Sequence, residues 1–97
     1  QVYVVHQGDE GQRRGALLAE MLRDVGLRVL VHAGSAGFKS QFRRADASQA
    51  IVAVIVGGDE LGSGCATVKW LRQGADGAGH QESIPFDRLA TELQSRI

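Results

Sequence analysis

Residues Ala50 to Val56, AIVAVIV, are seven consecutive apolar residues, most of them β-branched, and none of them offers a polar side chain to water. A strand with one solvated face alternates apolar and polar residues, so this run predicts a strand covered on both faces. A sheet built around it needs a helical layer on each side. Just upstream, FKSQFRRAD (residues 38–46) spaces Phe38, Phe42 and Ala45 by four and three, the pattern of a short helix whose other side carries Lys39, Arg43 and Arg44. Downstream, Gly57-Gly-Asp-Glu-Leu61 reads as a polar loop into which the buried strand is released. In open α/β sheets, ligands are met at the ends of such strands.

The rest of the chain supplies the remaining layers. Val2-Tyr-Val-Val5 is an apolar, β-rich first strand. Leu17, Leu18, Met21, Leu22 and Val25 recur at helical spacing, which predicts an amphipathic helix from about Asp9 to Val25 ended by Gly26. Leu27, Val29 and Val31 mark a second strand, and Gly34-Ser-Ala-Gly37 breaks it, leaving room for backbone to approach a ligand. Ala66 to Leu71 alternates as a fourth strand, antiparallel to its predecessor because the connection is short. A glycine-rich turn at 73–79 returns to a last strand at Gln81 to Ile84, closed by Pro85, and Phe86, Leu89, Ala90, Leu93 and Ile97 predict a terminal helix. With right-handed crossovers the order β-α-β-α-β-β-β-α gives a three-layer α/β/α domain on a five-stranded mixed sheet with its fourth strand antiparallel.

Ninety-seven residues, 43% of them apolar, suffice for one core, so the expectation is one domain over 1–97. The formal charge is zero, which argues against coating nucleic acid by bulk electrostatics. The charge is nevertheless uneven. Between Asp24 and Asp46 there is no acid, while Arg28, Lys39, Arg43 and Arg44 fall there, a local patch suited to a phosphate-bearing partner. No run approaches the roughly 18 apolar residues of a membrane span. The lone Cys65 excludes an internal disulfide and a cysteine-rich zinc site, and His6, His32 and His80 stand in no metal-ligand spacing. No metal site and no catalytic set is expected.

Several of these stretches together resemble the C-terminal anticodon-binding domain of class II aminoacyl-tRNA synthetases, most closely the bacterial histidyl enzymes. The resemblance runs over nearly the whole chain: VYVV, LLAEMLRDVGLRV, FKSQFRRAD, AVIVGGDEL, Gly64, TVKWL and IPFDRLATEL. The pairing of AVIVGGDEL with TVK is its specific part. Synthetases for threonine, proline and glycine share the module, but the wording KSQFRRAD favours histidine. One departure stands out: Gln49-Ala50 replaces a small Gly-Ala pair ahead of the central strand. The resemblance implies a domain excised from the C-terminus of a longer, cytoplasmic, homodimeric synthetase. Its catalytic domain would attach histidine to tRNA using ATP and Mg²⁺, and this domain itself would need no cofactor. The chain begins without Met, which agrees with an excised domain.

Two sets of site residues follow. Glu60, a carboxylate at the end of a buried strand, suits the N–H groups of a guanine edge or cytosine N4, and Lys69 suits a base oxygen or a phosphate; the resemblance points both toward the anticodon. Lys39, Arg43 and Arg44 are assigned to the tRNA backbone, because cations at i and i+4 share a helical face and can straddle phosphates. Without the resemblance, Glu60 and Lys69 read as a surface ion pair, and a charged helix face is usually only solvated. Two other functions compete with the tRNA module. One is the same fold in another class II synthetase or in a non-catalytic RNA-binding regulatory subunit. The other is a small flavodoxin-like nucleotide-binding domain or enzyme, weakened by the lack of a phosphate-loop fingerprint.

Overall fold

A computed structural model describes residues 1–34, 37–71 and 80–97 of the chain. The elements are β1 (Val2–His6), α1 (Gly8–Asp24), β2 (Val29–Val31), α2 (Phe38–Ala47), β3 (Val52–Val56), α3 (Gly58–Ser63), β4 (Cys65–Trp70) and β5 (Gln81–Pro85). A 3₁₀ turn at Phe86–Arg88 then leads into α4 (Leu89–Arg96). The sheet order is β2-β1-β3-β4-β5, with β1 parallel to β2 and β3, and β4 antiparallel to both β3 and β5. This is the mixed α/β sheet that the sequence predicts. The glycine-rich turn at 73–79 lies outside the described residues.

All five residues of β1 and all five of β3 are buried, because helices cover both faces. Val2, Val4, Val52, Val54, Val56, Val68, Trp70 and Ile84 pack with Leu18 and Leu22 of α1 and Leu89 and Leu93 of α4. Tyr3, Val5, Ala53 and Ile55 pack on the opposite face with Ala45, Phe38 and Phe42 of α2. The first face holds the larger cluster, and the second is the smaller one, closed by α2.

Helix α1 is rotated from the position its leucines suggest. Its buried residues are Gly11, Gly15, Leu18, Ala19 and Leu22, whereas Leu17 and Met21 are 59% and 39% exposed. The reason is close approach: a Cβ on Gly11 would stand 2.7 Å from the Val56 carbonyl oxygen, and one on Gly15 would stand 3.1 Å from Val4 Cγ1. Two glycines one turn apart therefore form the contact stripe, which a count of apolar side chains does not register. The exit of α2 carries a second departure. Ser48 caps the helix and Gln49 follows with φ 67°, a left-handed conformation that glycine adopts without strain. The missing Gly of the Gly-Ala pair is thus a glycine position occupied by glutamine.

The segment after β3 is not a loop. It folds as the six-residue helix α3 and ends at Gly64 with φ 76°.

Candidate nucleic-acid interface

The parallel strands end where α2 and α3 begin, and Gly57 joins these parts. A Cβ at Gly57 would lie 3.1 Å from Phe38 Cζ and 3.2 Å from Glu60 Oε1, so a larger residue there would press on both the α2 phenylalanine and the Glu60 side chain. Glu60 is the third residue of α3. Its Oε1 accepts the Gly57 N–H at 2.8 Å, and its Oε2 accepts the Thr67 hydroxyl at 2.7 Å. The first contact satisfies an orphan donor at the helix start, as the acidic half of a capping box does. The second ties α3 to β4. Half-buried, Glu60 is held by two neutral donors, and a carboxylate has acceptor sites beyond the two that these occupy.

Lys69 pairs across the sheet with Ala53 and lies two residues beyond Thr67, hence on the same face of β4. The structure does not pair it with Glu60. Instead its Nζ sits 5.2 Å from the centre of the Phe42 ring, and Phe42 in turn lies 6.3 Å from Phe38, centre to centre. Glu60 of α3, Thr67 and Lys69 of β4 and the two half-buried phenylalanines of α2 form one strip, polar on one side and aromatic on the other.

The three cations of α2 divide. Lys39 and Arg43 each follow a phenylalanine by one residue, about 100° around the helix, and extend the exposed flank on the β4 side. Arg44 falls on the other flank, where it lines a groove with Tyr3, Leu30, His32 and Ser40. Lys39 and Arg43 therefore share the flank of α2 on which Phe42 meets Lys69, and Arg44 does not.

Helix α2 is fixed by Gln41, a residue the sequence reading passes over. It is fully buried; its Oε1 accepts the His6 N–H at 2.9 Å and its Nε2 donates to the His6 carbonyl at 2.6 Å. The side-chain amide thus replaces the strand neighbour that β2, already ended, no longer provides. Beside it, the His6 Nε2 contacts the His32 carbonyl and the Tyr3 hydroxyl contacts His32 Nδ1, each at 2.7 Å. Burial first, then His6 and Arg44, hold the His32 pKa below its usual value, so the ring is neutral at neutral pH. The fold brings His6 and His32 to 6.1 Å between ring centres, a proximity their sequence separation hides. Among the described residues, no three His, Cys, Asp or Glu side chains converge on a metal site.

A second carboxylate network lies on the other face of β4. Arg96 donates to both oxygens of Glu82, at 2.9 and 2.5 Å, and stacks over the Trp70 ring at 4.9 Å. The Trp70 indole N–H donates to Glu82 Oε2 at 3.1 Å, and His80 Nε2 lies 3.3 Å away. The Arg96 guanidinium, with the indole and His80, pulls the Glu82 pKa from 4.5 to about 2.

Known proteins share this fold and much of this sequence. A family model described as an anticodon binding domain matches residues 1–96. The chain belongs to that family. It is 57% identical to a histidine-tRNA ligase of Bordetella pertussis and 51% identical to one of Ralstonia nicotianae, matching 99% and 95% of this chain respectively. In each case it spans 22% of the relative's length. The solved histidyl-tRNA synthetase of Nostoc sp. PCC 7120 superposes with a TM-score of 0.85 at 29% identity, covering 99% of this chain and 22% of that one. The RNA binding domain of threonyl-tRNA synthetase from Cryptosporidium parvum gives 0.83 at 17% identity over 98% and 23% of the two chains, a likeness of fold alone.

Proposed function

We propose that this domain recognises the anticodon stem and loop of tRNA(His) within a histidyl-tRNA synthetase. The parent's catalytic domain attaches histidine to that tRNA with ATP and Mg²⁺, and the parent works as a cytoplasmic homodimer. The likeness to histidine-tRNA ligases along the whole chain supports the parent's identity. The observation that carries the site is the state of Glu60. It is fixed by Gly57 and Thr67, has no cation partner among the described residues, and is set at the end of the Phe38, Phe42 and Lys69 strip. A fixed anionic acceptor beside aromatic rings is suited to the exposed edge of an unstacked base. Glu60 reads that edge, Lys69 donates to a base oxygen or phosphate, and Lys39 and Arg43 hold the backbone. The adenylate-forming chemistry belongs to the rest of the parent, so the 97 residues alone neither activate histidine nor charge tRNA.

The test is salt dependence in the full-length parent. Replacing Lys39 and Arg43 by Gln should weaken every tRNA alike, because phosphate contacts position without carrying sequence. Each lost contact should also lower the log–log salt slope by about 0.7. An unchanged slope in the double variant would remove both residues from the interface.

A further inference from the structure

The groove on the other flank of α2 has no part in the strip described above. It is lined by Tyr3, Leu30, Val31, His32, Ala33, Gly34, Ser40 and Arg44, with no carboxylate among these residues. Leu30 pairs with Tyr3 across the edge of the sheet, and α2 stops short of covering it, leaving it 58% exposed. An apolar shelf therefore lies beside a guanidinium and a hydroxyl. At its back the Tyr3 hydroxyl and His32 are locked together by their 2.7 Å contact, and the neutral imidazole adds no charge. The grooves flanking α1 differ: in one Glu20 is paired with Arg23 beside Arg13, and in the other Glu20, Asp24 and Asp87 outnumber Arg14, so each carries carboxylate that the α2 groove lacks.

We propose that the groove between Leu30 and Arg44 is a second nucleotide subsite. It takes one unpaired RNA nucleotide, with the base lying on Leu30 and the phosphate at Arg44 and Ser40. The chemistry matches single-stranded RNA, whose bases need an apolar face to lie on and whose backbone needs a cation within reach. No acid occurs in the sequence from 25 to 45, the stretch that supplies every one of these groove residues except Tyr3. A strand crossing α2 would then be gripped on both flanks, by Lys39 and Arg43 on one and Arg44 on the other. This inference rests on the reading of the domain as an anticodon binder and adds a site that reading does not need.

The experiment uses the full-length parent and tRNA(His) transcript at one salt concentration. Leu30→Asp places an anion on the shelf of an already exposed residue and should weaken binding about tenfold, while Arg44→Gln should weaken it several-fold. Thr91→Asp, exposed on α4, adds the same charge on the opposite layer and should stay within about twofold of the native protein. A photo-crosslinking residue at position 30 should join one nucleotide of the anticodon loop, and one at position 91 should not. If Leu30→Asp matches Thr91→Asp, or position 30 crosslinks no better than position 91, while Lys39→Gln with Arg43→Gln still weakens binding, the subsite is refuted and the anticodon reading survives. If neither flank affects binding, both fail.

Discussion

Two glutamates flank β4 on opposite faces, and they are held in opposite ways. Glu82 meets a guanidinium through both oxygens, an indole N–H and a histidine, and its charge is spent within the fold. Among the described residues Glu60 meets a backbone N–H and a threonine hydroxyl and no cation, so its position is fixed by neutral donors. Hydrogen bonds from neutral donors orient a carboxylate without neutralising it, whereas a bidentate arginine does both. The comparison separates a latch from a reader: Glu82 fastens α4 to β4, and Glu60 is presented at the strand end.

The largest expected effect breaks the latch. Glu82→Ala leaves Arg96 and the Trp70 indole without their shared acceptor and should cost about 2 kcal/mol in urea denaturation, with anticodon discrimination unchanged. The pH dependence has a definite sign. The folded pKa of Glu82 lies below its ordinary 4.5, so its stabilisation is complete above that pH and is lost as pH falls toward about 2. With solvent screening of a partly exposed pair, that loss should amount to about 1–2 kcal/mol, and Glu82→Gln should remove it from the stability profile. On the other face, Thr67→Val removes one of the two bonds that orient Glu60. It should cost about 1 kcal/mol of stability and also blunt discrimination between anticodons, the pairing of effects that Glu82 variants lack. The smallest effect lies outside both networks. Gln49→Gly relieves a left-handed glutamine and should raise stability by about 0.5–1 kcal/mol, with tRNA binding unaltered.

Much of this architecture is legible in the sequence, and what is not has identifiable causes. The apolar run at 50–56 calls for cover on both faces because burial leaves no room for a polar period, and β3 is buried throughout. Leucine spacing alone misplaces the stripe of α1, because its contact residues include Gly11 and Gly15, which carry no hydropathy signal. Helix α3 reads as a loop in the sequence because six residues are too few to show a period, though a carboxylate three residues after Gly57 is a capping pattern. Charge and the i, i+4 spacing of Lys39 and Arg43 group Arg44 with them, although it points to another flank. The buried Gln41 on the apolar stripe signals which side of the helix faces β1, and with it that Arg44 falls on that flank. The bonds of Gln41 to His6 span 35 residues and that of Glu60 to Thr67 spans seven across a helix and a turn, contacts that depend on tertiary placement and leave no local trace.

The central claim, that Glu60 reads while Glu82 only fastens, is tested most directly by binding the full-length parent to tRNA(His) and to a set of single anticodon substitutions at fixed salt. Glu60→Gln keeps the size of the side chain and an oxygen for one of its bonds but gives up the anionic acceptor. It should cost the cognate anticodon about 1–3 kcal/mol more than a substituted one, the value of a good base contact in groove readout. Glu82→Gln, measured beside it, should leave the order and spacing of those affinities intact. If Glu60→Gln weakens all anticodons uniformly, as Glu82→Gln does, then Glu60 is a second latch and the strip around it does not read the base.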